Sequence, residues 1–157
     1  MRNFTISVPV EELEYSELRE DDRKLVDAAC EATHRSYCPY SHFHVGAAIL
    51  LSNGEIVTGA NQENVAYPSG TCAERTAAFY AHATYPDAVF RAIAIAARGT
   101  DGEFVADPVA PCGACRQALL EFETLAKDNV RVILVSAGRV FVLPSVRALL
   151  PLAFSEF

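Results

Sequence analysis

The run Phe90 to Ala97, FRAIAIAA, limits the possible folds more than any other stretch of this chain. It has the length of a strand, and after Arg91 both of its alternating sets of side chains are apolar, so neither face can be left in water. A strand buried on both faces needs helices above and below it, and the sequence offers three. DDRKLVDAACEATHRSYC opens on acids, places Leu25, Val26, Ala29, Ala32 and Thr33 at helical spacing, and must end before Pro39. CAERTAAFYAHA is rich in alanine with an early glutamate and stops near Pro86, and a third helix runs from CGACRQALLEFETLA. HVGAAILLSNGEIVTGAN is two apolar runs around Asn53-Gly54, a hairpin signal that makes its strands antiparallel. VRVILVS and RVFVLP flank Ala137-Gly138 as a further strand pair, and SVRALLPLAF closes with a short helical turn.

This order predicts an α/β fold in three layers, α/β/α, with a mixed sheet of five strands. Residues 1–20, which include EELEYSELRE, read as an N-terminal extension, and residues 21–157 as a single domain. The loop RGTDGEFVADPVAP is long for so compact a chain, which points to a function.

With 157 residues, the chain is large enough for a core that needs no covalent staple. Its 51% hydrophobic and 21% charged composition is that of an ordinary globular protein. The apolar runs are too short to cross a membrane and MRNFTISVPV is no signal peptide, so the expectation is a cytoplasmic protein. A net charge of −7 without a basic stripe argues against nucleic acid as a partner and for a small substrate. Five cysteines, Cys30, Cys38, Cys72, Cys112 and Cys115, are an odd set in such a chain. Metal or catalysis explains them better than disulfides do.

Cys112 and Cys115 stand three apart at the opening of a helix and so share a face, where the helix dipole favours thiolates. Cys72 repeats that placement on another helix. Three thiolates leave a tetrahedral zinc one position short, the arrangement of a catalytic site. A redox pair at C-x-x-C, a merely buried Cys72, or a closed structural site with a fourth ligand from Cys30, Cys38, His42 or His44 are the alternatives that spacing leaves open. Glu74 would lie across a mid-helix from Cys72, but in the first turn both reach a metal beyond the helix end, and a carboxylate there can shuttle protons.

The motifs YSHFHVGAAIL, GANQENVAY, GTCAERTA and PCGACRQALLEF occur in the order and at the distances of the cytidine deaminases of the small three-cysteine type, which the chain resembles from about Tyr37 to Phe154. The resemblance implies one Zn²⁺ per chain on Cys72, Cys112 and Cys115. It also implies hydrolytic deamination of cytidine and 2′-deoxycytidine, with Glu74 protonating N3 and then the departing amine. Asn61 and Glu63 match the pair that holds the ribose hydroxyls, and Phe43 an aromatic beside the base. Ala73 also falls among the substrate-binding positions. Phe154 matches a C-terminal aromatic that closes over the pyrimidine, with Phe157 as its competitor. Family members are homotetramers with sites at subunit contacts. Three thiolates leave zinc with a net charge of about −1, and Arg75 and Arg116, each close in sequence to a ligand, are placed to offset it through hydrogen bonds to sulfur. The competing functions are a blasticidin-type nucleoside deaminase and a non-catalytic zinc-stabilised binding module.

Overall fold

The computed structural model describes residues 1–155, so Phe157 lies outside the described residues. Six strands, β1 (Glu11–Leu13), β2 (His44–Leu51), β3 (Ile56–Ala60), β4 (Phe90–Arg98), β5 (Arg131–Val135) and β6 (Val140–Leu143), form one sheet in the order β1-β6-β5-β4-β2-β3. Three helices cover it: α1 (Glu20–Ala32), α2 (Ala73–Thr84) and α3 (Gly113–Ala126). The β4–β5 pair is parallel and every other pair antiparallel, so the sheet is mixed as expected.

β4 explains its own sequence. Ala92, Ala94 and Ala96 pack with α1 residues Leu25, Val26 and Ala29 on one face, while Ile93 and Ile95 pack with the α2 and α3 side chains on the other. The small side chains sit where the layers come closest. A Cβ on Gly46 of β2 would stand 2.2 Å from the Ala29 carbonyl oxygen, and one on Gly59 of β3 would stand 2.5 Å from the Ala77 nitrogen. Backbone therefore lies almost on backbone at both helix–sheet contacts, which fixes α2 tightly against the strands that precede it.

The hairpin turn at Asn53-Gly54 is a three-residue loop. Leu51 N–H bonds to the Glu55 carbonyl, Gly54 N–H to the Leu51 carbonyl, and Gly54 takes φ +88°, a backbone angle that costs glycine nothing.

The strand count differs from the expected five. β1 comes from the segment read as an extension, and it pairs with β6 through Glu11↔Val142, Glu12↔Phe141 and Leu13↔Val140. A three-residue strand of sequence EEL has neither the length nor the apolar alternation that would announce it; it exists because the β6 edge offers backbone partners. Beyond it Leu18 is buried in the α1-side core, and Tyr15 donates its hydroxyl to Asp27 of α1 at 2.8 Å. Among the described residues no helix is long and apolar enough to cross a membrane.

Candidate metal centre and substrate pocket

Both functional helices start on a cysteine. Cys72 is the residue before α2 and Cys112 the residue before α3, each extended (ψ 156° and 166°) while its carbonyl already accepts the first helical N–H, from Thr76 and Arg116. Neither sulfur caps its own helix, so both are available to something beyond the helix end. Cys115 lies one turn into α3 and is buried. The three sulfurs lie within 4.8 Å of one another, and Cys72 and Cys112 are 3.9 Å apart. Among the described residues this is the group of three or more cysteine, histidine or carboxylate ligands that could hold a metal ion. The suggested fourth ligands lie elsewhere: Cys38 and His44 pair with each other, sulfur to Nδ1 at 3.2 Å.

The electrostatics of the cluster suit a cation. The Cys115 thiol hydrogen-bonds to the Cys72 sulfur, and with Arg75 and Cys112 also on that sulfur the Cys72 thiol is lowered to about 5. Cys115 is pushed up in return, by that same bond, by burial and by the Glu74 charge. Three sulfurs crowded around one point, sharing protons, are a donor set that zinc would satisfy by displacing those protons. The residues fit one zinc ion per chain.

Glu74 is only 4% exposed, and burial raises its carboxyl above the usual range, with the Cys72 charge adding to the effect. Arg75 donates Nη2 to the Cys72 sulfur at 3.8 Å. Arg116 does not. Its Nε donates to the Pro111 carbonyl and its Nη1 to the Leu149 carbonyl, both at 2.7 Å, because one residue along a helix turns about 100° away from the face that Cys115 occupies.

A cavity of about 590 Å³ opens above the sulfurs. Cys72, Cys112, Glu74 and Arg75 lie at its metal end, with Phe43, Asn61 and Glu63 along the wall. Asn61 is held twice, Oδ1 by the Val45 N–H at 2.8 Å and Nδ2 on the Phe43 carbonyl at 2.9 Å, so it also fixes the backbone on both sides of His44. Glu63 accepts the Tyr40 N–H at 2.9 Å and the Ser41 N–H at 3.3 Å, and bonds from Ser41 and Tyr40 hold its carboxyl below the usual range. Ala73, the first residue of α2, is fully buried and outside the lining.

Phe154 is 68% exposed and does not line this cavity; its carbonyl accepts from Gln117 Nε2 at 2.9 Å. Sequence reasoning missed Tyr40 and Tyr67, whose rings meet at the rim with centroids 6.0 Å apart, and it gave no role to Val109 and Ala110. The length of the loop that carries the last two was their signal. Tyr40 opens YSHFHVGAAIL and Tyr67 closes GANQENVAY, but the contact between them depends on how the two segments cross.

Residues 19–128 match the family model for the cytidine and deoxycytidylate deaminase zinc-binding region. The chain belongs to this family. A cytidine deaminase of Sporosarcina psychrophila is 42% identical over 138 residues, covering 87% of this chain and 93% of that protein. A probable cytidine deaminase of Dictyostelium discoideum is 39% identical over 144 residues, covering 88% and 86%. The crystal structure of the Burkholderia pseudomallei cytidine deaminase superposes with a TM-score of 0.68 at 38% identity, covering 83% of this chain and 97% of that one. The family match spans all three cysteines and Glu74 and ends before the C-terminal segment that carries Phe154.

Proposed function

We propose that this protein is a zinc-dependent hydrolase that converts cytidine and 2′-deoxycytidine to uridine and 2′-deoxyuridine with release of ammonia, serving pyrimidine salvage in the cytoplasm. The observation that carries the reading is a buried glutamate, Glu74, lining a nucleoside-sized cavity together with Cys72 and Cys112 of the three-sulfur cluster. Zinc on Cys72, Cys112 and Cys115 would supply Lewis acidity and an activated water. Glu74, not a ligand, takes the proton of the attacking water, passes it to pyrimidine N3 and returns a second one to the departing amine. Its raised carboxyl suits both halves of that exchange.

Arg75 withdraws charge from the Cys72 sulfur and keeps the metal electrophilic against three thiolates. Glu63 and Asn61 hold the ribose hydroxyls, and Phe43 lies along the pyrimidine. Glu63 can do so because the Ser41 side chain, with the Tyr40 and Ser41 N–H groups, keeps its carboxylate ionised and fixed in place.

The assembly we propose is a homotetramer with sites at subunit contacts. Phe79 and Tyr80 on α2 and Leu152 and Phe154 near the C-terminus are all more than half exposed, an apolar surface that a partner copy would cover. Phe154 would then close over the pyrimidine of a neighbouring chain.

The test is direct. Zinc-loaded protein is incubated with cytidine, and ammonia and the loss of cytidine absorbance are followed together. Stoichiometric ammonia and uridine are expected; a protein that holds zinc and releases no ammonia would be a binding module instead.

A further inference from the structure

The C-terminal segment after β6 is fastened along α3 at successive points. At the C-terminal half of the helix, the buried Glu123 carboxylate accepts the N–H groups of Val146 at 2.6 Å and Arg147 at 3.0 Å, together with that of Val130 at 3.0 Å. About two turns nearer the helix start, Arg116 Nη1 holds the Leu149 carbonyl at 2.7 Å, and Gln117 Nε2 holds the Phe154 carbonyl at 2.9 Å. The segment thus runs back along α3 toward the end where Cys112 and Cys115 sit. Arg116 is the point where it meets the metal end: the same guanidinium holds the carbonyl of Pro111, the residue bonded to Cys112.

The planar fork of an arginine serves two carbonyls in one fixed geometry, and with the fork gone both would lack their donor in a half-buried place. We propose that Arg116 is a positioning residue that ties the backbone carrying Cys112 to the C-terminal segment, so that docking of that segment along α3 and retention of the metal are coupled. The zinc part of this inference rests on the zinc site proposed above; the mechanical coupling does not. Coupling of this kind is reciprocal, so loosening the segment at a distance must loosen the metal as well.

Zinc-loaded Arg116→Met, Arg116→Lys and Glu123→Gln proteins are compared with the wild type in two measurements: the rate of zinc transfer to a colorimetric chelator, and hydrogen exchange in peptides covering 105–112 and 146–155. Glu123→Gln sets an amide N–H₂ against a backbone N–H about two turns from Arg116 and touches no ligand.

Arg116→Met is expected to release zinc at least tenfold faster, with faster exchange in both peptides. Arg116→Lys, with one ammonium for two carbonyls, falls between it and the wild type. Glu123→Gln, with Arg116 intact, should speed exchange in 146–155, and with it exchange in 105–112 and zinc release by several fold. If Glu123→Gln frees the C-terminal peptide while 105–112 and zinc release stay at wild-type values, the coupling is absent. Arg116→Lys matching the wild type in both measurements would likewise overturn the bridge. Should Arg116→Met fail to fold, the lysine and Glu123 variants decide. A wild-type protein that holds no zinc would sink the proposed function alone, since the exchange of 105–112 in Glu123→Gln still tests the coupling.

Discussion

Glu74 is the residue on which chemistry and stability oppose each other. Replacing it by glutamine keeps its size and leaves all three sulfurs, so Glu74→Gln should retain about one zinc per chain, read by elemental analysis, while turnover falls by roughly 10²- to 10⁴-fold. The metal-free protein gives a second, independent reading. Because burial raises the carboxyl in the folded state, the folded chain binds that proton more tightly than the unfolded chain. Its contribution is therefore present at low pH and is lost as pH rises through the raised value. Melting curves of metal-free protein should show Glu74→Gln gaining on the wild type as pH rises from about 4 to neutrality; a constant difference would mean that the Glu74 carboxyl is not raised in the folded chain. Glu63 poses the opposite case, a half-buried carboxylate held below the usual range by Ser41 and Tyr40. With Glu63→Gln, kcat/KM for cytidine and deoxycytidine should drop about ten- to a hundredfold, the scale of a charged hydrogen bond, with a smaller effect on free cytosine. Equal losses on all three would assign Glu63 to the fold.

At the scale of elements, the site depends on how α2 lies on β3. The start of α2 carries Cys72 and Glu74, and the helix can come no nearer than the side chain at position 59 permits. A methyl on Gly59 would meet the Ala77 nitrogen at 2.5 Å and the Ala73 carbonyl oxygen at 2.7 Å, both backbone atoms that cannot turn aside. Gly59→Ala should therefore lift α2, cost about 1–3 kcal/mol in denaturant unfolding, and move Cys72 and Glu74 away from the α3 sulfurs. Zinc affinity should fall with stability. A variant destabilised as expected but with unchanged zinc affinity would show that the two helix starts move together as one unit.

For the whole molecule, the question is what lies beside Phe154. Phe154 is 68% exposed and its own cavity is lined by other residues, so in the proposed assembly its contribution would be made on another chain. Removing residues 153–157 should lower turnover roughly tenfold, the scale of a lost aromatic contact. Zinc content should stay at about one per chain, since all three sulfurs remain, while loss of the Gln117–Phe154 bond should speed zinc release. Light scattering on the intact protein should report four chains. Full activity in the truncated protein, or in a stable monomer, would exclude a shared site.

The sequence alone determined the layers and, through the family resemblance of its motifs, the chemistry. FRAIAIAA required helices on both sides of the sheet, and alternation along β4 then set alanines against α1 and isoleucines against α2 and α3. The helix period and the position of a first turn are local properties, so the sequence put Cys112 and Cys115 on one face and Cys72 at a second helix opening, and the resemblance assigned all three to one zinc. The tertiary structure decided what depends on the meeting of distant segments. β1 exists because β6 offered an edge, which three residues of low strand propensity could not signal. Arg75 and Arg116 look alike beside their cysteines, yet one donates to sulfur and the other to two carbonyls, one of them 33 residues away. Spacing gives the direction a side chain takes from its own helix; only the packing of the whole chain decides what waits there.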